Sequence, residues 1–312
     1  MNHKKDIENN HNTCPVCKSD QLKVLKGYEK DHLVRCKQCK LVFSNRKPTR
    51  AELDKIYNAY IRDNNIKTEL TLKKLRLIAD NLEKVSKAKR VLDIGCGDGV
   101  FLTMFKKIGC EVYGTEFNKS AEDVCRSKGI KMLSGGLMPQ MESNLSDKFD
   151  LVILTEVIEH VNNPRDIINN ISDLLKKNGY LYITTPNYFS IDRLIMGPQW
   201  GMICYPEHLI LWNPKTLDQF LRTCGYEKIF IRTENISFFR IVQYLNKKKY
   251  SLKLLNNDPE KAAAIAQIKV NQSKFFFYMK NIINSLLLIT NKGSSLIALY
   301  RKSKNGDNVV QV

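Results

Sequence analysis

Residues 90–101 read Arg-Val-Leu-Asp-Ile-Gly-Cys-Gly-Asp-Gly-Val-Phe, and no other stretch narrows the fold as much. Val91 to Ile94 have the character of a buried strand, glycine follows at 95, 97 and 99, and Phe101, Leu102 and Phe105 recur at helical spacing. Glycine is needed where a strand turns sharply into a helix and a ligand comes close to the backbone, and the helix N-terminus offers free N–H groups. Such a unit belongs to an α/β fold with its ligand at the carboxyl ends of the strands. Nucleotide dehydrogenases share this logic, so the loop alone does not name the ligand. Two features narrow it. Asp93 stands two residues before the first glycine, and the longer G-x-G-x-x-G spacing is absent. The next strand, Val112 to Glu116, ends in a carboxylate placed to accept two hydrogen bonds from a ribose diol.

Further along, Phe149–Glu156 and Gly179–Pro186 read as buried strands. Asn163-Pro164 and Asn213-Pro214 each read as a helix cap followed by a first-turn proline, and Gly225 stops the helix Leu217–Cys224. Together these residues resemble the class I S-adenosylmethionine-dependent methyltransferases, with their D-x-G-x-G-x-G loop and acidic second strand. The resemblance covers about residues 89–236 plus a last strand within 294–303, and it implies a Rossmann-like, seven-stranded α/β sheet. It also implies that Asp93, Gly95 and Gly97 hold the methionine and ribose part of the cofactor, and Glu116 the ribose hydroxyls. By the same resemblance Phe117 and Leu137 flank the adenine, and Thr155 borders the cofactor at the end of the fourth strand.

That strand runs into Thr155-Glu156-Val-Ile-Glu159-His160. The E-x-x-E-H pattern is similar to one in ubiquinone-pathway O-methyltransferases and in small-RNA 2′-O-methyltransferases, where such residues contribute to a divalent-metal site. A second histidine, His208, follows in Pro206-Glu207-His208, and these two are the only histidines after residue 33. Two carboxylates and two imidazoles suit Mg2+ or another divalent ion with positions open to substrate. Three roles stay open for Glu156, Glu159, His160 and His208: a metal site, a metal-free proton abstraction by a histidine, and a structural one. The loop between them carries Trp200 and Tyr205, which could stack on a sugar ring or plug the cleft mouth.

Four of nine cysteines form Cys14-x2-Cys17 and Cys36-x2-Cys39. Each pair lets a tight turn present two thiolates to one ion, and two turns complete the tetrahedral shell that zinc prefers. Residues 1–48 are therefore expected to form a zinc ribbon around a short hairpin, structural because a four-thiolate shell leaves no place for substrate. The other five cysteines read as buried small residues. Residues 49–88 read as linking helices, the first opened by a Thr49/Glu52 capping box and the second striped by Leu72, Leu75, Ile78, Ala79 and Leu82.

The chain carries a formal net charge of +18, with +7 over residues 1–50, +4 over 51–90, −2 over 91–240 and +9 over 241–312. The catalytic block is thus slightly acidic, and contact with a polyanion belongs to the ends. Residues 237–293 read as a helical insertion before the last strand, with an uncharged run between Lys280 and Lys292. Eleven residues cannot span a bilayer, but basic flanks around such a run suit peripheral association with an anionic membrane, core packing or a dimer contact. Met1–Asn12 has no apolar segment, and no run of 18 apolar residues occurs, so a cytoplasmic protein is expected, at most peripheral at the inner face of the membrane.

For the acceptor, the sequence favours a hydroxyl of a sugar or glycan-biosynthesis intermediate, by resemblance to bacterial glycan-assembly methyltransferases in the Trp200–His208 loop. RNA, with the ribbon as its reader, and a quinone-like small molecule are the alternatives, and a non-catalytic adaptor is the third class. The ribbon holds only Arg35, Arg46 and Arg50 as arginines and few aromatics, which disfavours RNA. It is also similar to that of sugar C-methyltransferases, but their further C-terminal domain has no counterpart here.

Overall fold

The computed structural model describes residues 10–53, 68–134, 136, 148–236, 240–241, 244 and 290–303. Leu137, most of the 237–293 insertion with its uncharged run, and the greater part of the first linking helix lie outside them.

The described residues form two sheets. In the larger, β4 (Arg90–Ile94), β5 (Glu111–Thr115), β6 (Lys131–Met132), β7 (Phe149–Thr155) and β8 (Leu175–Pro186) run parallel. Beyond β8 lie β11 (Ser295–Lys302) and then β10 (Tyr226–Glu234), in the order β10-β11-β8-β7-β4-β5-β6. The strand β11 is antiparallel to both neighbours, so it alone opposes the direction of the sheet. The expected Rossmann-like seven-stranded α/β architecture is present.

Alternation along the strands divides the core. Leu92, Ile94, Val152 and Leu154 face one side and pack with Ile168, Ile171, Leu217 and Phe220, from the helices Pro164–Leu174 and Pro214–Thr223. Val91, Leu151 and Ile153 face the other side with Leu102 and Phe105 from the helix Val100–Lys107. The second linking helix, Glu69–Ser86, is capped by Thr68 and joins this second face. Ala79 and Leu82 are buried there, with Leu72, Leu75 and Ile78 partly so, as the stripe predicts. The capping box also forms: Thr49 N donates to Glu52 Oε2 at 2.8 Å, and Glu52 N to Thr49 Oγ1 at 3.3 Å.

The smaller sheet contains the expected hairpin, β1 (Leu22–Val24) against β2 (Leu33–Cys36), extended by β3 (Val42–Ser44). Its fourth strand is unexpected. The two-residue β9, Ile210–Leu211, lies just past His208 and pairs with β3. The sheet's strands β2, β3 and β9 are covered on both faces, while Val24 on the edge strand β1 is 63% exposed. Val34 and Phe43 join Ile210 and Trp212 in the main core, while Leu33, Val42 and Leu211 pack with Tyr188, Trp200 and Ile203. A sheet this small buries too little by itself, and the structure seats it in the catalytic block on both faces.

One carboxylate ties the entry of β4 to its neighbours. Asp150 Oδ2 accepts the Lys89 and Arg90 N–H groups at 2.9 Å each, and its Oδ1 takes Lys176 Nζ at 2.8 Å. Burial alone would raise this carboxyl's pKa; the Lys176 ammonium and the two amides outweigh it and hold it below the usual range. Its stabilisation is therefore full above the ordinary carboxyl pKa and is lost as pH falls through the lower, folded-state value. Asp150→Asn should reduce unfolding free energy at pH 7 by about 1–3 kcal/mol. In thermal melts across pH, the gap to wild type should close in acid.

Candidate functional site

The glycine loop leaves β4 with Gly95 at φ +74° and Gly97 at φ +55°. A Cβ on Gly95 would sit 2.8 Å from Val157 Cγ2, so only glycine fits; at Gly97 a Cβ would meet nothing within 4 Å, and that side of the backbone is open. Gly95 N and Cys96 N both donate to Thr115 O at 3.0 Å, which pins the loop to the end of β5. Asp93, the next-to-last residue of β4, is buried. Glu116, following β5, accepts from Gly97 N through Oε2 and from Asn118 N through Oε1, both at 2.9 Å. Each carboxylate oxygen keeps a lone pair for a further donor. Phe117 beside it is 57% exposed, its ring laid over Gly136.

The E-x-x-E-H segment begins where β7 ends. Thr155 is half-buried and pairs in register with Thr184. Glu156 takes φ +52°, a left-handed conformation that a non-glycine residue holds only under constraint from its surroundings. Its Oε1 accepts from Thr184 Oγ1 at 2.8 Å, while Glu159, 1% exposed, accepts from Thr185 Oγ1 through Oε2 at 2.9 Å. The other Glu159 oxygen, Oε1, is buried with no hydrogen-bond partner among the described residues and lies 4.0 Å from His160 Nε2.

The two histidines meet edge to face, with ring centroids 4.8 Å apart. His160 Nδ1 lies 2.8 Å from Glu207 O, and His208 Nδ1 2.8 Å from Met202 O. A carbonyl oxygen only accepts, so both Nδ1 atoms carry the proton, and neither Nε2 has a hydrogen-bond partner among the described residues. Ligand atoms of Glu159, His160 and His208 all lie within 4.8 Å of one another. Glu156, which the sequence groups with them, is not one of these three; its Oε1 accepts from Thr184, and its carboxyl also meets that of Glu159.

Burial pushes the Glu159 carboxyl well above the ordinary range, and the neighbouring Glu156 charge adds to it; Glu156 itself is raised by desolvation. Desolvation lowers His160, reinforced by the charge His208 would carry, and lowers His208 as well. The pocket thus favours neutral imidazoles and lacks positive charge beside a buried acid. That is the electrostatic complement of a cation.

The loop residues read as candidates for sugar stacking face elsewhere. Trp200 is 2% exposed in the cluster with Tyr188, Leu33 and Val42, so its ring is packed in the core and offers no open face to a sugar. Tyr205 lies between the edge of His32, 5.0 Å away, and the Arg46 guanidinium, 5.3 Å from its ring. The threonines that hold the two glutamates escape sequence reading, because hydroxyls ending a strand carry no motif of their own.

At the far side of the ribbon, Cys14, Cys17, Cys36 and Cys39 place their sulfurs within 4.8 Å of one another. Cys14 and Cys39 are 3.5 Å apart, as are Cys17 and Cys36. An ion about 2.3 Å from four tetrahedral sulfurs requires separations of about 3.8 Å, close to these. A hydrogen bond from Cys39 brings the Cys14 thiol down to about 5, so a thiolate is favoured in the cluster. Of the remaining cysteines, Cys96, Cys110, Cys125 and Cys224 are buried and Cys204 half-buried.

Residues 66–229 match the family described as "Methyltransferase domain". The ubiquinone biosynthesis O-methyltransferase of Rickettsia typhi is 27% identical over 232 residues, 72% of this chain and 85% of that protein. The mitochondrial protein of the same name from Schizosaccharomyces pombe is 29% identical over 157 residues, 48% of this chain and 53% of its own. Its namesake from Shewanella halifaxensis is 31% identical over 107 residues, 32% of this chain and 44% of its own. Except for the Rickettsia protein, the chain spans about half the length of these curated relatives. Among solved structures, a SAM-dependent methyltransferase from Archaeoglobus fulgidus aligns with TM-score 0.46 and 22% identity, over 73% of this chain and 94% of that one. The plantazolicin methyltransferase BpumL aligns with TM-score 0.48 and 15% identity, over 80% and 90%. The profile match runs across more than half of the sequence, and on that ground the chain belongs to this methyltransferase-domain family.

Proposed function

We propose that the chain transfers the methyl group of S-adenosylmethionine to a hydroxyl of a small molecule, at the cluster of Glu159, His160 and His208. The observation that carries this reading is that ligand atoms of Glu159, His160 and His208 lie within 4.8 Å of one another, with His160 Nε2 4.0 Å from the buried Oε1 of Glu159 and each Nδ1 held on a backbone carbonyl. The acceptor oxygen bonds to the methyl carbon as the methyl–sulfur bond breaks, leaving S-adenosylhomocysteine. The hydroxyl proton passes to Nε2 of His160 or His208, whose Nδ1–H stays on its carbonyl and fixes the ring. The relatives' shared name supports oxygen as the methylated atom and a small molecule as the acceptor. It gives no support to the sugar or RNA expectations of the sequence. The expected membrane contact falls on residues outside those described; among the described residues no helix is long and apolar enough to cross a membrane.

The same residues fit a divalent ion, because ligand atoms of all three lie within 4.8 Å of one another and the buried Oε1 of Glu159 has no hydrogen-bond donor among the described residues. Glu159, His160 and His208 would hold Mg2+ or a similar ion, with Glu156 beside them, and when bound it would lower the pKa of a coordinated hydroxyl. For the cofactor, Asp93, Gly95, Gly97 and Thr155 line the methionine and ribose side, Glu116 takes the ribose diol, and the exposed Phe117 ring covers adenine. Cys14, Cys17, Cys36 and Cys39 hold one structural zinc ion.

Transfer of label from methyl-labelled S-adenosylmethionine to a panel of hydroxylated small molecules tests the reaction. His208→Ala should lower the rate by about 10²–10⁴-fold with cofactor affinity retained. Undiminished turnover, or label appearing only in RNA, would contradict the reading. Glu116→Ala should weaken S-adenosylhomocysteine binding by about 10–100-fold in calorimetry, the equivalent of one or two charge-assisted hydrogen bonds. Elemental analysis should find one zinc ion per chain, lost in Cys36→Ser.

A further inference from the structure

We propose that Asp31, with His32 and Arg46, positions the two imidazoles of the catalytic cluster, so that the cysteine ribbon is a working part of the active site. The inference rests on the role given above to His160 and His208. Both rings take their orientation from one short stretch. Met202 O fixes His208 and Glu207 O fixes His160, while Glu207 N and His208 N both turn back onto Cys204 O, at 2.8 and 3.2 Å. Apart from that turn, residues 202–208 lie in neither helix nor strand, so their own backbone does little to fix those two carbonyls.

The ribbon supplies the missing constraint. Asp31 Oδ1 accepts from Tyr205 N at 3.1 Å, in the middle of the stretch. The Tyr205 ring is held between the edge of His32 and the Arg46 guanidinium. Immediately after His208, Ser44 N donates to Leu209 O at 2.8 Å, and Phe43 and Val42 pair with Ile210 and Leu211. Trp200, ahead of Met202, and Ile203, just after it, pack with Leu33 and Val42 of the ribbon sheet. The segment is thus gripped by ribbon residues ahead of, within and behind the two carbonyls that orient the histidines. Asp31 is the one charged acceptor in that grip. Its carboxylate fixes the peptide two residues before Glu207, and it touches neither histidine, so its effect is on ring orientation and tautomer.

The readout needs neither an acceptor nor an added metal. In the full-length, zinc-containing protein labelled with 15N-histidine, long-range 1H–15N spectra distinguish the two neutral tautomers directly. Wild type should show His160 and His208 as Nδ1–H. Asp31→Ala should lose that single form, with His160 passing to a mixture containing Nε2–H, while zinc content and affinity for S-adenosylhomocysteine stay at wild-type values. Asp31→Asn, which keeps the Oδ1 acceptor, should restore the wild-type tautomers. Arg46→Leu should move the same signals in the same sense by a smaller amount, and it provides a second variant if Asp31→Ala does not fold. Wild-type tautomers in both Asp31→Ala and Arg46→Leu would overturn the proposal. Loss of zinc or cofactor affinity together with the tautomer would also overturn it, because Asp31 would then support the fold as a whole. A wild-type protein with neither histidine in the Nδ1–H form would fail earlier, at the reading of the site, and would remove both.

Discussion

Glu159 is the residue on which the two halves of the molecule close. Its backbone carbonyl accepts from Leu209 N and Ile210 N, at 2.7 and 3.0 Å, which holds the start of β9 against the end of the catalytic strand. Its side chain reaches the hydroxyl of Thr185 on β8 and leaves Oε1 directed toward His160. A carboxyl buried this deeply is costly unless its oxygens are satisfied, and only one of them is satisfied by the described residues. The constraint therefore has a structural side, joining sheet to ribbon, and a chemical side, an acceptor kept ready in a site of two neutral imidazoles.

The ribbon follows from this. Viewed as sequence, it is a metal-organised hairpin at the end of a longer chain, and its positive charge invites a role in docking. In the fold its small sheet takes its fourth strand from Ile210–Leu211, and β2, β3 and β9 are covered on both faces. Arg165 adds a further link, its Nη2 donating to Val16 O at 3.1 Å across the same interface. A four-cysteine cluster at the edge of such a sheet stiffens the part of the protein that the histidine-bearing turn leans on.

Much of this architecture was legible in the residues. The glycine loop, the acidic end of β5, the helix caps and the apolar strands are local patterns with local causes, and the resemblance they carry implies the seven-stranded sheet. The pairing of His160 with His208 across 48 positions was legible too, since the central block offers no third histidine. What escaped is non-local or too short to leave a pattern. A two-residue strand such as Ile210–Leu211 has no periodicity to detect. Trp200 is a plausible sugar platform until its neighbours are known, and Thr184 and Thr185 look like any strand end until two glutamates are found against them. The separation of Glu156 from the trio comes from its left-handed backbone and its bond to Thr184, neither of which spacing in the sequence encodes.

The methyl donor and the proton acceptor must share one cleft at the carboxyl ends of β4 and β7, and that is the central claim. A crystal structure of the full-length protein with S-adenosylhomocysteine tests it most directly. The ribose should lie on Glu116, with the sulfur turned toward the E-x-x-E-H segment and both imidazole Nε2 atoms facing the space beyond it while Met202 and Glu207 carbonyls hold Nδ1. A sulfur directed away from the two histidines, or Nε2 atoms closed off by protein hydrogen bonds with no room for a hydroxyl, would contradict it.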